Sequence, residues 1–197
     1  MKILVSSIFC LSLFTVLFSG CNTDSNLVSP DEKTVFSKSD FKAFSGRDSF
    51  VGSISQEEVD ALVHMRIEEK IARDAYTVLG EQWNRQVFLN IKLSEQTHMD
   101  AVKKLLDKYS IPDPLVTDEV GVFPNESFQE LYDGLITQGK ESVYNAFLVG
   151  VAIEELDIKD LDEYLLIVDN SDIVQVFNHL LDGSYNHLTA FNKNLSK

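Results

Sequence analysis

Residues 93–100 read LSEQTHMD. The segment sits inside an amphipathic helical pattern whose apolar stripe runs Phe88, Ile91, Glu95, His98, Val102, Leu105, Tyr109. Those spacings of three and four place all seven on one helix face. Every member is apolar or aromatic except Glu95 and His98, so a carboxylate and an imidazole occupy the middle of a face that the chain otherwise buries. The same interruption recurs along the chain. A first helix from about Gln56 to Trp83 has the stripe Leu62, Met65, Glu69, Ala72, Tyr76, Leu79, Trp83. A third long helix, about Glu141–Val168, carries Val143, Phe147, Gly150, Glu154, Asp157, Leu161, Tyr164 on one face. A fourth, running to about Asn194, carries Ile173, Val176, Leu180, Ser184, His187, Phe191.

Ionised carboxylates in a core cost several kcal/mol each unless they are compensated, and several together raise one another's pKa. A divalent cation removes both penalties. Glutamate and histidine at i and i+3 address the same point, because one turn brings them onto one face. Glu69, Glu95, His98, Glu154, Asp157 and His187 are therefore the candidate metal ligands, in a mixture that suits iron, manganese or zinc. The metal-free alternative is a set of hydrogen-bonded core polar groups.

The boundaries of the pattern are equally readable. Ser55 and Glu58 form a capping box ahead of the first helix, with Ile54 and Val59 as its staple. The second helix, about Val87–Ser110, stops at Ile111-Pro112-Asp113-Pro114. A loop to Pro124 leads into a short helix over Glu126–Gln138, capped by Asn125 and stopped by Gly139. Asp169-Asn170-Ser171 turns the chain into the last helix. No Gly-rich phosphate loop and no run of alternating strands interrupts this layout, which predicts an all-α domain over residues 54–197.

The chain ahead of that domain carries an address. Lys2 precedes an apolar run from Ile3 to Phe18, too short for the usual membrane span, and the run ends FSGC. This resembles a bacterial lipobox, with Phe18 where leucine is usual, and makes residues 1–20 a lipoprotein signal peptide and Cys21 the lipidated residue. An ordinary signal peptide and an uncleaved anchor are the alternatives. The only other cysteine, Cys10, lies in the signal, so the mature chain has no disulfide or thiolate metal site. Residues 21–53 then read as lipid anchor and flexible tether. The expected location is the cell envelope, with the membrane-anchored lipoprotein facing the periplasm or exterior.

Of 197 residues, 44% are hydrophobic, enough for one domain with a core. The formal charge of -14 argues against a nucleic-acid partner, since phosphate binding requires a basic surface.

Taken together, MRIEEKIARDAY, FLNIKLSEQTHMDAV, GVAIEELDIKDL and GSYNHLTAF span about Ser55–Leu195. They resemble an uncharacterised ferritin-like family of bacteria and archaea known as domain of unknown function 2202. The layout resembles the wider ferritin-like superfamily of di-iron carboxylate four-helix bundles, and EEKIARDAY resembles the first helix of rubrerythrins. The resemblance implies an up-and-down four-helix bundle whose long crossover carries the short extra helix. In the superfamily pattern two helices give one Glu each and two give Glu-x-x-His. Carried over, Glu69 is the first-helix ligand, Glu95 and His98 the first pair, Glu154 the third-helix carboxylate and His187 the histidine of the second pair. Ser184 stands where that second pair has Glu, and Asp157 either supplies the sixth ligand or caps a break before IKDL.

The implied cofactor is iron, two ions, or alternatively manganese. The implied function is a metal-binding protein with oxidoreductase action on oxygen or peroxide, or a non-catalytic module that sequesters metal at the envelope. A metal-free interaction domain is the third class. An electron donor for turnover and a homodimer are both left open. Among the remaining polar residues, Glu68 loses to Glu69 on spacing, His64 falls off its stripe and reads as solvated, and His179 reads as a surface residue. Arg73 and Asp74 read as a pair that orients a ligand or as an exposed ion pair. Tyr76 reads as core.

Overall fold

The computed structural model describes residues 54–196. The signal segment, Cys21 and the tether, on which the address depends, lie outside the described residues. Among the described residues there are five helices and no strand: α1 (Gln56–Trp83), α2 (Gln86–Lys108), α3 (Glu126–Gly139), α4 (Val143–Leu165) and α5 (Ser171–Leu195). None of them is long and apolar enough to cross a membrane.

Local chemistry fixes the helix ends. Ser55 accepts from the Glu58 N–H, while Glu58 accepts from the Ser55 N–H, which completes the capping box. The other oxygen of Glu58 accepts the N–H groups of Asp169 and Asn170, so one buried carboxylate caps α1 and also holds the α4–α5 turn. Asn125, Ser142 and Asn170 cap α3, α4 and α5 through their side chains. Between α1 and α2 only Asn84 and Arg85 intervene, with Asn84 in the left-handed region at φ 47°. So short a connection folds α2 back along α1.

α1 packs mainly on α2 and α4 mainly on α5, and contacts of α1 with α4 and of α2 with α5 close the arrangement around one core. Phe88, Phe147, Tyr76 and Phe191 meet at its centre, with Phe88 and Phe147 stacked at 5.4 Å.

α1 departs from the expected amphipathic helix, because it is buried on nearly every side from Glu58 to Tyr76. The crossover and α3 cover its outer face. Lys70 bridges Asp74 at 2.5 Å and donates to the Glu119 carbonyl, and Asp74 also accepts the Gly121 N–H. Arg73 donates to Asp74 and to Asp118. The alternative of an exposed ion pair is therefore corrected, since both residues are buried. They belong to a buried charge network that ties the crossover down, where charged hydrogen bonds replace the water lost on burial.

Candidate metal centre

Glu95 of α2 is 1% exposed, with His98 one turn further along the helix. His98 Nδ1 lies 2.8 Å from Glu95 Oε2 and 3.1 Å from Glu69 Oε2 of α1. His187 Nδ1 of α5 lies 2.9 Å from Glu95 Oε1 and 3.5 Å from Glu154 Oε2 of α4. Two trios result, Glu69–Glu95–His98 and Glu95–Glu154–His187, each with donor atoms within 4.8 Å of one another. Glu95 belongs to both. The five residues singled out from four different stripes thus converge in one buried cluster.

The sixth, Asp157, is 2% exposed and stands beside both trios without closing into either. It lies inside α4, which continues to Leu165, so the reading of Asp157 as the cap of a break is overturned. Ser184 is buried at 1%, and its hydroxyl donates to the Leu180 carbonyl one turn back.

Several close approaches in the cluster are not hydrogen bonds. Glu69 Oε1, Glu95 Oε1, Glu154 Oε2 and His187 Nδ1 are all buried and none makes one. His187 Nδ1 and Glu95 Oε1 are 2.9 Å apart, yet their directions are wrong for a bond between them. Buried polar atoms are rarely left this way. Donors that point at a common third position rather than at each other produce such a pattern.

The electrostatics are those of a crowded acidic site. Burial raises Glu69 to about 7, against the opposing pull of His98. Burial, then Glu95, raises Glu154 to about 8. Asp157 goes well above the carboxylate range, through burial and then Glu68, Glu69, Glu154 and Glu95. Glu95 alone is lowered: burial would raise it, but His187 and His98 together outweigh burial. Burial works against charge on both rings, yet Glu69 and Glu95 lift His98 to about 10, and Glu154 and Glu95 lift His187 to about 10. Without a cation the cluster holds together by retaining protons.

Supporting residues were missed by the sequence reading. Tyr76, read as core packing, is fully buried and its O–H donates to Glu154 Oε1 at 2.6 Å. Its place on the stripe two turns past Glu69 was the available signal. Gly183 carries no chemistry, but a Cβ there would lie 2.5 Å from His98 Cε1, so the His98 ring fits only against a glycine. Between α2 and α5 a cleft of about 450 Å³ reaches inward to His98 and His187, with Ser94, Thr97, Asp182 and Asn186 among its walls. His179 is at the surface, as expected, and its ring meets His98 edge-on at 5.8 Å.

A second polar cluster lies on the other side of Glu69. His64, expected in solvent, is 3% exposed, and Glu68, set aside in favour of Glu69, is 2% exposed. With Asp160 of α4 they form a third trio within 4.8 Å. Both surprises have the same origin: Tyr164 and the Phe128 ring of α3 cover the face of α1 that a lone helix would expose.

Comparison with known proteins agrees with the organisation of the domain. The chain is 52% identical over 138 residues to the uncharacterized protein MJ0754 of Methanocaldococcus jannaschii, covering 70% of this chain and 75% of that protein. It is similar in fold to the crystal structure of the hypothetical protein MJ0754 from Methanococcus jannaschii, with a TM-score of 0.72 and 50% identity. That match covers 74% of this chain and 83% of the other. The model of an uncharacterized protein domain, DUF2202, matches residues 58–197, and the chain belongs to that family.

Proposed function

We propose that this chain is a ferritin-like four-helix bundle that holds two metal ions, iron or manganese, between Glu69, Glu95, His98, Glu154 and His187. The single observation that carries the reading is the sharing of Glu95: its two oxygens serve two different trios, as a bridging carboxylate does. The orphaned atoms support it, because a cation gives all four a partner at once. Charge supports it too. Glu69, Glu95, Glu154 and Asp157 supply four negative charges when ionised, and two divalent ions balance them with both imidazoles neutral.

The residues divide the work. Glu69, Glu95 and His98 would hold one ion, and Glu95, Glu154 and His187 the other. Tyr76 fixes the rotamer of Glu154. Asp157 supplies a further carboxylate to either side. When bound, the ions supply redox equivalents and Lewis acidity to a small molecule. The cleft that ends on the two histidines is the approach for oxygen or peroxide, and Ser184, spent on its own helix, leaves α5 one ligand short of the usual pair. This favours an oxidoreductase over a closed structural site. The alternative is metal sequestration, which the same cleft would serve as an ion entry with Asp182 at its wall. In both readings Cys21 carries a lipid that tethers the domain to the envelope, facing the periplasm or exterior.

The deciding experiment loads the protein with Fe(II) anaerobically and then adds oxygen or peroxide with a reductant. Repeated turnover supports the oxidoreductase. Stoichiometric oxidation without turnover supports sequestration. Protein that takes up no metal, and that Glu95→Ala and His98→Ala leave equally stable, is a metal-free interaction domain and ends the reading.

A further inference from the structure

His64, Glu68, Asp160 and Tyr164 form an arrangement that the dinuclear reading does not use. His64 and Glu68 are one turn apart on α1, and Asp160 and Tyr164 are one turn apart on α4. All three donor residues are more than nine-tenths buried. Neither carboxylate oxygen of Glu68 makes a hydrogen bond. His64 Nε2 stands 3.6 Å from Glu68 Oε1, too long for a hydrogen bond. Two donors that each sit about 2.1 Å from one tetrahedral ion lie roughly 3.4 Å apart, which is close to that spacing. The other ring nitrogen, Nδ1, is 2.7 Å from the Tyr164 hydroxyl. A metal-binding histidine is commonly oriented in this way, by a second group that holds one of its ring nitrogens.

We propose that His64, Glu68 and Asp160 form a third cation site that takes one divalent transition-metal ion such as Mn(II), Fe(II) or Zn(II). One imidazole and two carboxylates match such ions in ligand type. The site shares no ligand with the pair, so it does not depend on the pair being filled. It is nevertheless adjacent. Glu68 and Glu69 are consecutive, and Asp157 feels the charge of both. At its outer side Asp160 is bridged by Lys159, whose ammonium lies 2.6 Å from Oδ1 and is largely exposed. An ion at this site would displace the Lys159 ammonium, which competes with it for Asp160.

The competing occupant is a proton shared between Glu68 and Asp160. The two are separated by counting ions. Detergent-solubilised full chain is equilibrated with Mn(II) without oxygen, and bound metal per chain is measured. The expected counts are three for the wild type, two for Glu68→Gln and for Asp160→Asn, and one for Glu95→Ala. A wild type that binds two, unchanged in Glu68→Gln and Asp160→Asn, has only the shared proton, and the proposal is overturned. A wild type that binds one, lost in Glu68→Gln and kept in Glu95→Ala, keeps the third site and ends the dinuclear reading instead. The anomalous signal of wild-type crystals soaked in Mn(II) is independent of how any variant folds. A peak between His64, Glu68 and Asp160 supports the site, and its absence beside occupied peaks at Glu95 refutes it.

Discussion

The two oxygens of Glu95 address different imidazoles: Oε2 lies 2.8 Å from His98 Nδ1 and Oε1 lies 2.9 Å from His187 Nδ1. One α2 carboxylate thus reaches α5 directly, and the two imidazoles carry the contacts on to Glu69 of α1 and Glu154 of α4. If it bridges two ions, Glu95→Ala removes both members of the pair, whereas His187→Ala removes only the one it shares with Glu154. Metal counting on both variants checks this. Equal losses in the two would mean that Glu95 is not shared.

Tyr76 gives a subtler test. Its O–H donates to Glu154 Oε1, and its ring packs on Phe88 and Phe191. Tyr76→Phe keeps the ring and deletes the hydrogen bond. Removing a partner that orients a metal ligand costs about 10–100-fold in affinity. We expect a loss of that size at the Glu154 half of the pair, with little change at the His98 half, read by competition with a metal indicator.

The pH dependence has a definite sign. Without metal, His98 and His187 are raised to about 10, and Glu69 and Glu154 to about 7 and about 8. The folded state therefore binds more protons than the unfolded one across this range. For the histidines, the stability is fully present below about 6.5 and is lost as pH rises through 10; for the two glutamates, stability falls as pH climbs from about 4.5 through 7 and 8. Metal ions compete with the same protons, so their affinity grows with pH. The melting temperature of metal-free protein should fall between pH 6 and 9, while the gain on adding Mn(II) widens. A gain that shrinks over that interval would contradict the assignment of these four groups as ligands.

Gly183 tests the approach of α5 to α2. An added Cβ would meet His98 Cε1 at 2.5 Å and Nε2 at 2.6 Å. The ring has carboxylates on its other side and cannot retreat without losing them. Overpacking of a core usually costs about 1–3 kcal/mol. Gly183→Ala should lower stability by an amount in that range and weaken metal binding at the Glu69–His98 half, both visible in denaturant melts with and without Mn(II). A variant as stable as wild type with full affinity would show that the helices separate freely here.

Much of this was legible before any coordinates. The stripes named five of the converging residues because a helix face is a strong periodic signal, and one or two polar intrusions in the middle of each face stand out against it. The caps at Ser55 and Asn125 were readable for a similar reason, since they depend on chemistry within three residues. What periodicity could not supply was the burial of a second face. Glu68, His64 and Asp74 lie off the α1 stripe, and a helix with one apolar face leaves such residues in solvent. They are buried because other elements fold over them: Tyr164 of α4 and Phe128 of α3 over His64, and the crossover, held by Lys70, Arg73 and the Gly121 N–H, over Asp74. That cover is a tertiary event with no local signature. The charged run EEKIARD was its only trace: charge on every side of a helix is solvation in most proteins and a buried network in this one.

Ser184 is the position where the chain departs from the two-pair pattern, and reversing the departure is the most direct probe of why. The serine is 1% exposed, and its hydroxyl is satisfied by the Leu180 carbonyl, so the native metal-free core carries no extra charge at this point. Ser184→Glu places a carboxylate one turn before His187 on the same face of α5. Without metal that group has no cationic partner beyond the two imidazoles already engaged by Glu95, Glu69 and Glu154, and burying it costs several kcal/mol. With metal it becomes a ligand. The metal-free variant should therefore melt well below wild type, and saturating Mn(II) should recover most of the difference. Turnover with peroxide should fall at the same time, because the added carboxylate fills the coordination place that a small substrate needs. A variant destabilised equally with and without metal would show that α5 at Ser184 does not face an ion, and the reading of an open position beside His187 would go with it.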